Sequence, residues 1–179
     1  GHAVMQAMTS IDTTKPKKCV LVLYGDVPLT NFSTLSKLVQ QANENTLCIL
    51  TLITENPKGL GRIVRDDSGE IAAIVEEKDA NDEQKKINEI NTGIMVIPAT
   101  KLNSWLNSLG NDNAQGEYYL TDVVAMAATD DECAITAMVI DDENEVQGVN
   151  DKAQLAGLER QFQMNKAERL LKAGVLLRD

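Results

Sequence analysis

Histidine is almost absent from this sequence, and the single histidine, His2, stands at the very start. A Ser-His-Asp hydrolase needs a histidine beside its nucleophile, and a histidine-rich metal centre needs several. The sequence therefore nearly excludes the first class of protein and rules out the second.

Cysteine is scarce as well, with three residues in a chain of 179. Cys19, Cys48 and Cys133 are far apart and lie within apolar runs. An odd number at such spacing predicts buried reduced thiols rather than a disulfide framework or a zinc site. The first eight residues contain no basic segment ahead of an apolar core, so we expect no secretory signal and a cytoplasmic location.

Long hydrophobic runs and basic clusters are also missing. The longest apolar runs, residues 19–24 and 47–53, have the length of strands, whereas a helix that spans a bilayer needs about 20 residues. Lys and Arg number 17 against 27 Asp and Glu, which gives a formal net charge of −10. We expect no nucleic-acid partner, because no basic stripe is available to replace phosphate counterions, and no docking on anionic membranes.

The order of apolar segments predicts an α/β fold. Residues 19–24 and 46–54 are continuous apolar runs, typical of strands buried on both faces of a parallel sheet. Between them, apolar residues at helical spacing predict a helix that begins at about Asn31. Such a strand-helix-strand unit predicts a right-handed crossover and a parallel sheet.

The rest of the chain continues this alternation of elements. Residues 61–65 and 71–76 flank a turn in which Gly69 supplies the positive φ, which predicts a hairpin. Further predicted elements are strands at 91–97 and 134–140, helices from Pro98 and from about Tyr119, and a long helix from Asp151 to about Ala173. Ahead of the first strand, the segment that leads to residues 15–18 is predicted to be the tail of a helix followed by a loop.

Two predicted loops at element ends carry candidate functional residues. Gly25 and Asp26 stand at the carboxyl end of a predicted strand, where open α/β sheets bind ligands. A carboxylate there suits a hard divalent cation, and the alternative is that Asp26 caps a turn. Asn150 precedes the long helix and could add an amide oxygen to a weak Mg²⁺ site, although an N-cap role is favoured on sequence alone. The backbone of residues 59–62 could approach a ligand, but a flexible lead into the hairpin is the favoured interpretation.

Polar residues at other element boundaries are further candidates. Glu76, at the end of a predicted strand, can accept sugar hydroxyl protons, although a run of charges is usually solvated surface. Asn91 lies beside a glycine at a strand start. Tyr119 and Thr121 offer hydroxyls for an anion near a helix N-terminus, and the alternatives are packing for the tyrosine and capping for the threonine.

In their order along the chain, these segments resemble one bacterial family. The matching motifs are residues 23–29, 59–63, 74–80, 89–93, 113–122, 148–150 and 173–179. Over its whole length the chain resembles the bifunctional N-acetylglucosamine-1-phosphate uridyltransferases / glucosamine-1-phosphate acetyltransferases. The resemblance implies a Rossmann-like nucleotidyltransferase fold with a mixed, mostly parallel sheet. It also implies a partial uridyltransferase domain at residues 1–150 and a linker helix at residues 151–179.

The resemblance also implies roles for particular residues. Asp26 and Asn150 match the Mg²⁺ ligands of the family, and Tyr24 and Gly25 lie beside the nucleotide. The matches to its sugar-phosphate contacts are Gly61 (through its backbone), Glu76, Asn91, Tyr119 and Thr121. Glu77 stands where the family often has histidine, and Leu60 where it usually has tyrosine.

The implied reaction joins UTP and N-acetylglucosamine 1-phosphate. A phosphate oxygen attacks the α-phosphorus of UTP and gives UDP-N-acetylglucosamine, a precursor of peptidoglycan and lipopolysaccharide, with pyrophosphate. The nucleophile is already an anion, so no general base is required, and Mg²⁺ with cationic groups can offset the phosphate charge. Full-length members also acetylate glucosamine 1-phosphate from acetyl-CoA and are expected to be homotrimers.

Two parts of the family pattern are missing from this sequence. The glycine-rich loop of the Leu-x-Ala-Gly-x-Gly-Thr-Arg-Met type and the uracil-contacting motifs do not occur, and the left-handed β-helix would begin beyond Asp179. We therefore expect a chain truncated at its N-terminal strand, inactive alone and prone to self-association. The alternatives are another sugar-1-phosphate nucleotidyltransferase, which the run at 113–119 argues against, and a non-catalytic sugar-phosphate-binding module.

Overall fold

The computed structural model describes residues 1–12 and 18–178, so the loop predicted around residues 15–18 lies mostly outside the described residues. The chain forms two compact units. The first comprises Gly1–Leu23 and Phe32–Asp141, and the second comprises Tyr24–Asn31 and Asp142–Asp179. The boundary predicted between residues 150 and 151 stays a prediction.

The first unit contains the sheet and the helices around it. Its described strands are β1 (Cys19–Val22), β2 (Thr46–Ile53), β3 (Arg62–Arg65), β4 (Ile71–Val75), β5 (Glu89–Pro98) and β6 (Ala134–Ile140). Its α-helices are α1 (His2–Ala7), α2 (Phe32–Gln41), α3 (Ala99–Asn107) and α4 (Asp122–Ala128), with short 3₁₀ turns at Met8–Ser10 and Gln84–Lys86. The hairpin is confirmed, and Gly69 at its turn has a φ of +86°.

The strand order confirms a mixed α/β sheet and corrects its balance. The order is β4-β3-β5-β2-β6, and β1 pairs with the carboxyl-terminal half of β5. Among the described strands only β2 and β6 pair in parallel, so the prediction of a mostly parallel sheet is wrong. The strands β1 and β2 run in the same direction, but β5 lies between them and runs antiparallel to both. A continuous apolar run signals burial on both faces and leaves the strand direction open.

The core of the first unit lies between the middle of the sheet and two helices. Residues 47–50 of β2 are fully buried, and α3 buries Leu102, Trp105 and Leu106. The prediction that the first strand is buried on both faces is wrong, because all four residues of β1 are half-buried. Within the described chain this strand pairs with β5 alone, which leaves its other side without a covering strand.

The second unit contains the long helix, α5 (Lys152–Lys172), as predicted. The carboxylate of Asp151 caps it by accepting the N–H of Gln154 at 2.8 Å. Leu158 is the buried residue of this helix, whereas its other large apolar residues stay largely exposed: Leu155, Phe162, Met164, Leu170 and Leu171. A short 3₁₀ turn, Glu143–Val146, precedes the helix. Within the described ranges, no helix combines the length and the apolar character that crossing a membrane requires.

Candidate functional site

Glu76 and Thr121 meet although they lie 45 residues apart in sequence. Glu76 follows the last residue of β4, and Thr121 precedes the first residue of α4. The Thr121 hydroxyl donates a hydrogen bond to Glu76 Oε1 at 3.1 Å, and the threonine is buried. Thr121 occupies the N-cap position but its side chain makes no capping bond, so the capping alternative is wrong.

Gly61 lies against the same carboxyl group. A Cβ atom at this position would stand 3.1 Å from the Cγ2 atom of Ile74 and 3.4 Å from Glu76 Oε2. The carbonyl of Gly61 accepts the backbone N–H of Asn91 at 2.9 Å. The Asn91 side chain in turn accepts the N–H of Gly93 at 3.0 Å, in a buried position. Four residues predicted to contact the sugar phosphate, Gly61, Glu76, Asn91 and Thr121, therefore form one connected group.

Tyr119 joins this group through a second set of hydrogen bonds. Its hydroxyl accepts from Gln115 Nε2 at 2.9 Å and also hydrogen-bonds to the Asp79 side chain. Asp79 Oδ1 accepts the backbone N–H of Ala114 at 2.9 Å, and Lys78 Nζ donates to the side-chain Oε1 atom of Gln115 at 2.6 Å. The segment 76–79 is thereby tied to the loop 113–121.

An open pocket of about 310 Å³ lies between these segments. Its polar lining includes Glu76, Asp79, Tyr119 and Asp122. Burial raises the pKa of Glu76, the hydrogen bond from Thr121 offsets part of this rise, and the charges of Asp122 and Asp79 add to it. Burial and the charge of Asp79 likewise raise the pKa of Asp122. Such a pocket accepts hydrogen bonds from neutral hydroxyl and amide groups better than it binds an anion.

The remaining predicted site residues lie in the second unit. The carbonyl of Asp26 accepts the backbone N–H of Val149 at 2.9 Å, which links the turn that contains Gly25 to the segment before Asn150. The helix cap is Asp151, so the N-cap alternative for Asn150 is wrong. The side chains of Asp26 and Asn150 are exposed, and neither hydrogen-bonds to another described residue. Tyr24, two residues before Asp26 in sequence, is half exposed.

No cluster of three or more His, Cys, Asp and Glu side chains suited to a metal ion occurs in the part of the chain that the structure describes. Asp26 with Asn150 is a different kind of pair, one carboxylate and one amide oxygen. The metal role of these two residues therefore stays a prediction.

Sequence reasoning missed two residues whose side chains hold the segments of this site in place. Asp79 stood in a charge run interpreted as solvated surface, yet it holds both Tyr119 and the backbone of Ala114. Arg62 was singled out only as the end of a glycine-containing segment, although it is buried and bonds to Glu77 at 2.6 Å. The strand has an arginine at each end, Arg62 and Arg65, and no local pattern distinguishes the buried one from the exposed one.

Comparison with known proteins identifies the family. The sequence profile described as nucleotidyl transferase matches residues 1–150. The chain belongs to the nucleotidyl transferase family. A protein named bifunctional protein GlmU from Pseudomonas syringae pv. syringae is 53% identical over 179 residues, which are 100% of this chain and 38% of that protein. The protein of the same name from Burkholderia lata is 55% identical over 100% of this chain and 39% of its own length. The chain thus spans less than half the length of these relatives.

Two solved structures of other proteins share the fold. A putative glucose-1-phosphate thymidylyltransferase from Bacillus anthracis superposes with a TM-score of 0.59 at 15% identity, over 89% of this chain and 59% of that one. A 4-diphosphocytidyl-2C-methyl-D-erythritol synthase from Anaerococcus prevotii gives 0.55 at 10% identity, over 89% and 62% of the two chains. At these identities the likeness concerns the fold alone.

Proposed function

We propose that this chain carries the sugar-phosphate part of a uridylyltransferase that forms UDP-N-acetylglucosamine from UTP and N-acetylglucosamine 1-phosphate. The observation that carries the proposal is the group of Gly61, Glu76, Asn91 and Thr121, which comes from separate segments. Hydrogen bonds join Thr121 to Glu76 and Asn91 to Gly61, and Gly61 lies against the Glu76 carboxyl. The relatives named bifunctional protein GlmU, above 50% identical over the whole chain, support the same conclusion.

The pocket beside Glu76 is suited to the sugar ring. The Glu76 carboxyl can accept a hydrogen bond from a sugar hydroxyl. The backbone of Gly61 lets a sugar ring approach because glycine has no Cβ. The hydroxyl of Tyr119 hydrogen-bonds to the Asp79 side chain and accepts from Gln115, so its remaining lone pair can accept a sugar hydroxyl or amide N–H. The attacking phosphate is already an anion, which fits a chain whose single histidine is His2.

Asp26 and Asn150 fit a magnesium ion in the kind of donor that they offer. Carboxylate and amide oxygens are hard ligands, and Mg²⁺ commonly binds one or two protein groups and completes its shell with water and substrate phosphate. Both side chains are exposed and are not engaged by other described residues. The ion, when bound, would offset charge on the phosphates during transfer.

The wider role follows from the same resemblance. The whole protein would use UTP, release pyrophosphate, acetylate glucosamine 1-phosphate in a second domain, assemble as a homotrimer and work in the cytoplasm, where it supplies peptidoglycan and lipopolysaccharide synthesis. The 179 residues alone would be inactive, because the residues that hold the UTP phosphates by resemblance are not among them.

Calorimetry with N-acetylglucosamine 1-phosphate tests the sugar site directly. The chain should bind this ligand more tightly than glucose 1-phosphate, and Thr121→Val should weaken binding about tenfold through loss of a hydrogen bond to a charged group. Thr129→Val is the matched control, because the Thr129 hydroxyl bonds only to carbonyls of its own helix end. Absence of binding by the unaltered chain would contradict the proposal, and a preference for glucose 1-phosphate would favour a different nucleotidyltransferase.

A turnover assay and a metal probe test the other parts. UDP-N-acetylglucosamine formed by the 179-residue chain above background would contradict its inactivity. Mn²⁺, a paramagnetic substitute for Mg²⁺, should broaden the NMR signals of Asn150 in the unaltered chain. Asp26→Asn should remove this broadening, whereas Asp67→Asn in the exposed hairpin turn should not. Equal broadening in both variants would contradict the metal assignment.

A further inference from the structure

Arg62 is a charged residue at the start of β3 that is 1% exposed. Its Nη2 atom lies 2.6 Å from Glu77 Oε2, and its Nη1 atom donates to the carbonyl of Leu60. Among the described residues, the Nε atom of Arg62 is the one buried side-chain polar atom without a hydrogen-bond partner. Burying a guanidinium costs free energy that its partners offset, and the Nε atom without a partner leaves part of this cost uncompensated.

Glu77 binds the turn at residues 59–61, whose Leu60 carbonyl accepts from Arg62. Its carboxylate accepts from Arg62 and also hydrogen-bonds to the backbone of Gly59. Gly59 has a φ of +83°, a left-handed conformation that favours glycine, and the next residue, Leu60, donates its N–H to the carbonyl of Pro57 at 3.2 Å. A guanidinium and a carboxylate thus bind a donor and an acceptor of one tight turn.

The ion pair is adjacent in sequence to two residues of the predicted sugar-phosphate group, of which Glu76 lines the pocket. Arg62 follows Gly61, and Glu77 follows Glu76. In the hairpin Arg62 lies opposite Val75, which lines the pocket. The ion pair of Arg62 and Glu77 therefore lies at the end of the hairpin that meets the pocket. A Cβ added to Gly61 would lie 3.4 Å from Glu76 Oε2. A small shift of the turn therefore changes the space between Gly61 and the Glu76 carboxyl.

We propose that Arg62 and Glu77 are positioning residues, and that their ion pair holds the turn at residues 59–61 so that Gly61 and Glu76 are presented to the sugar ring. This inference rests on the proposed function. Neither side chain needs to touch the ligand. Arg62 needs its planar fork, because one nitrogen binds the carboxylate and another binds the turn carbonyl.

The test compares Glu77→Gln and Arg62→Lys with Arg65→Lys. Arg65 lies in the same strand and pairs with Glu89 at 3.0 Å, so it is a matched arginine outside the turn. The first readout is amide hydrogen exchange at Gly59 and at Asn91, whose N–H binds the Gly61 carbonyl. We expect exchange there to rise about tenfold in the first two variants while Ile97 in β5 is unchanged, and Arg65→Lys to leave the turn unchanged.

The second readout is the affinity for N-acetylglucosamine 1-phosphate, which should weaken about tenfold with the same two variants. Unchanged exchange at Gly59 and Asn91, or an equal rise across the whole sheet, would overturn the positioning role. So would faster exchange with unaltered affinity. If Arg62→Lys does not fold, Glu77→Gln alone decides, because its side chain is partly exposed.

Failure of the proposed function has a separate signature. In that case the unaltered chain does not bind the sugar phosphate at all. The exchange measurement needs no ligand, so it still supports or refutes the hold of the ion pair on the turn.

Discussion

Gly61→Ala is the substitution for which the structure gives the clearest expectation. The added methyl would stand 3.1 Å from Ile74 Cγ2 and 3.4 Å from Glu76 Oε2. Ile74 is buried in the core and has little freedom to move, whereas the Glu76 carboxyl can rotate. Relief of the contact would therefore displace Glu76 and strain its hydrogen bond from Thr121.

The expected cost combines two opposing effects. Overpacking in a well-filled region costs about 1–3 kcal/mol. Replacing glycine by alanine returns roughly 0.4–1 kcal/mol, because the unfolded chain loses conformational freedom. We expect a net destabilisation of about 1 kcal/mol, which corresponds to a fall in Tm of roughly 2–4 °C for a chain of this size.

Thermal unfolding and calorimetry on the variant measure both consequences. Gly157→Ala, inside α5, is the control, because no atom lies within 4 Å of the added Cβ and alanine favours a helix. We expect the control to raise Tm or leave it unchanged, with ligand affinity unaltered. A Gly61→Ala chain with the Tm and the sugar-phosphate affinity of the unaltered protein would refute the reasoning about this contact.

Three further predictions follow from burial and charge. Burial raises the pKa of Glu76, so the folded chain keeps this proton at a pH where an unfolded glutamate has lost it, and stability falls as the pH rises from the usual glutamate range to the folded pKa. Urea unfolding from pH 4 to 7 should show a smaller fall for Glu76→Gln. Cys48 is fully buried with a pKa of about 11, so a thiol reagent at pH 8 should label it only after urea is added. Leu158→Ala should lower the stability of the second unit by about 2–4 kcal/mol, whereas Leu171→Ala, at a position 53% exposed, should have little effect in the same denaturant titration.

The existence of the strands was predictable, and their direction was not. The predicted bounds of β2 and β6 match those of the structure within one residue, because apolar runs between polar turns mark where a buried strand begins and ends. The antiparallel course of β5 between β1 and β2 depends on pairing between residues 36 or more positions apart in sequence. No local pattern carries that information.

The candidate site shows the same division. The residue types at element ends indicated Glu76 and Thr121 as candidates, but local rules favoured a solvated charge and a helix cap. Both local interpretations failed because the two side chains satisfy each other across a long sequence separation. Asn150 failed as a cap for a more local reason, since Asp151, one residue later, takes that position.

The acidic character of the pocket bears on which end of the ligand it receives. Burial raises the pKa of Glu76 and of Asp122, and the charge of Asp79 adds to both rises. A phosphate placed among them would be repelled, whereas hydroxyl and acetamido groups supply the donors that carboxyl groups accept. The pocket is therefore suited to the neutral ring of a sugar phosphate, and the phosphate must lie where cations can reach it. Under the proposed function, an acidic chain serves a nucleotidyltransferase by binding the uncharged part of the sugar phosphate.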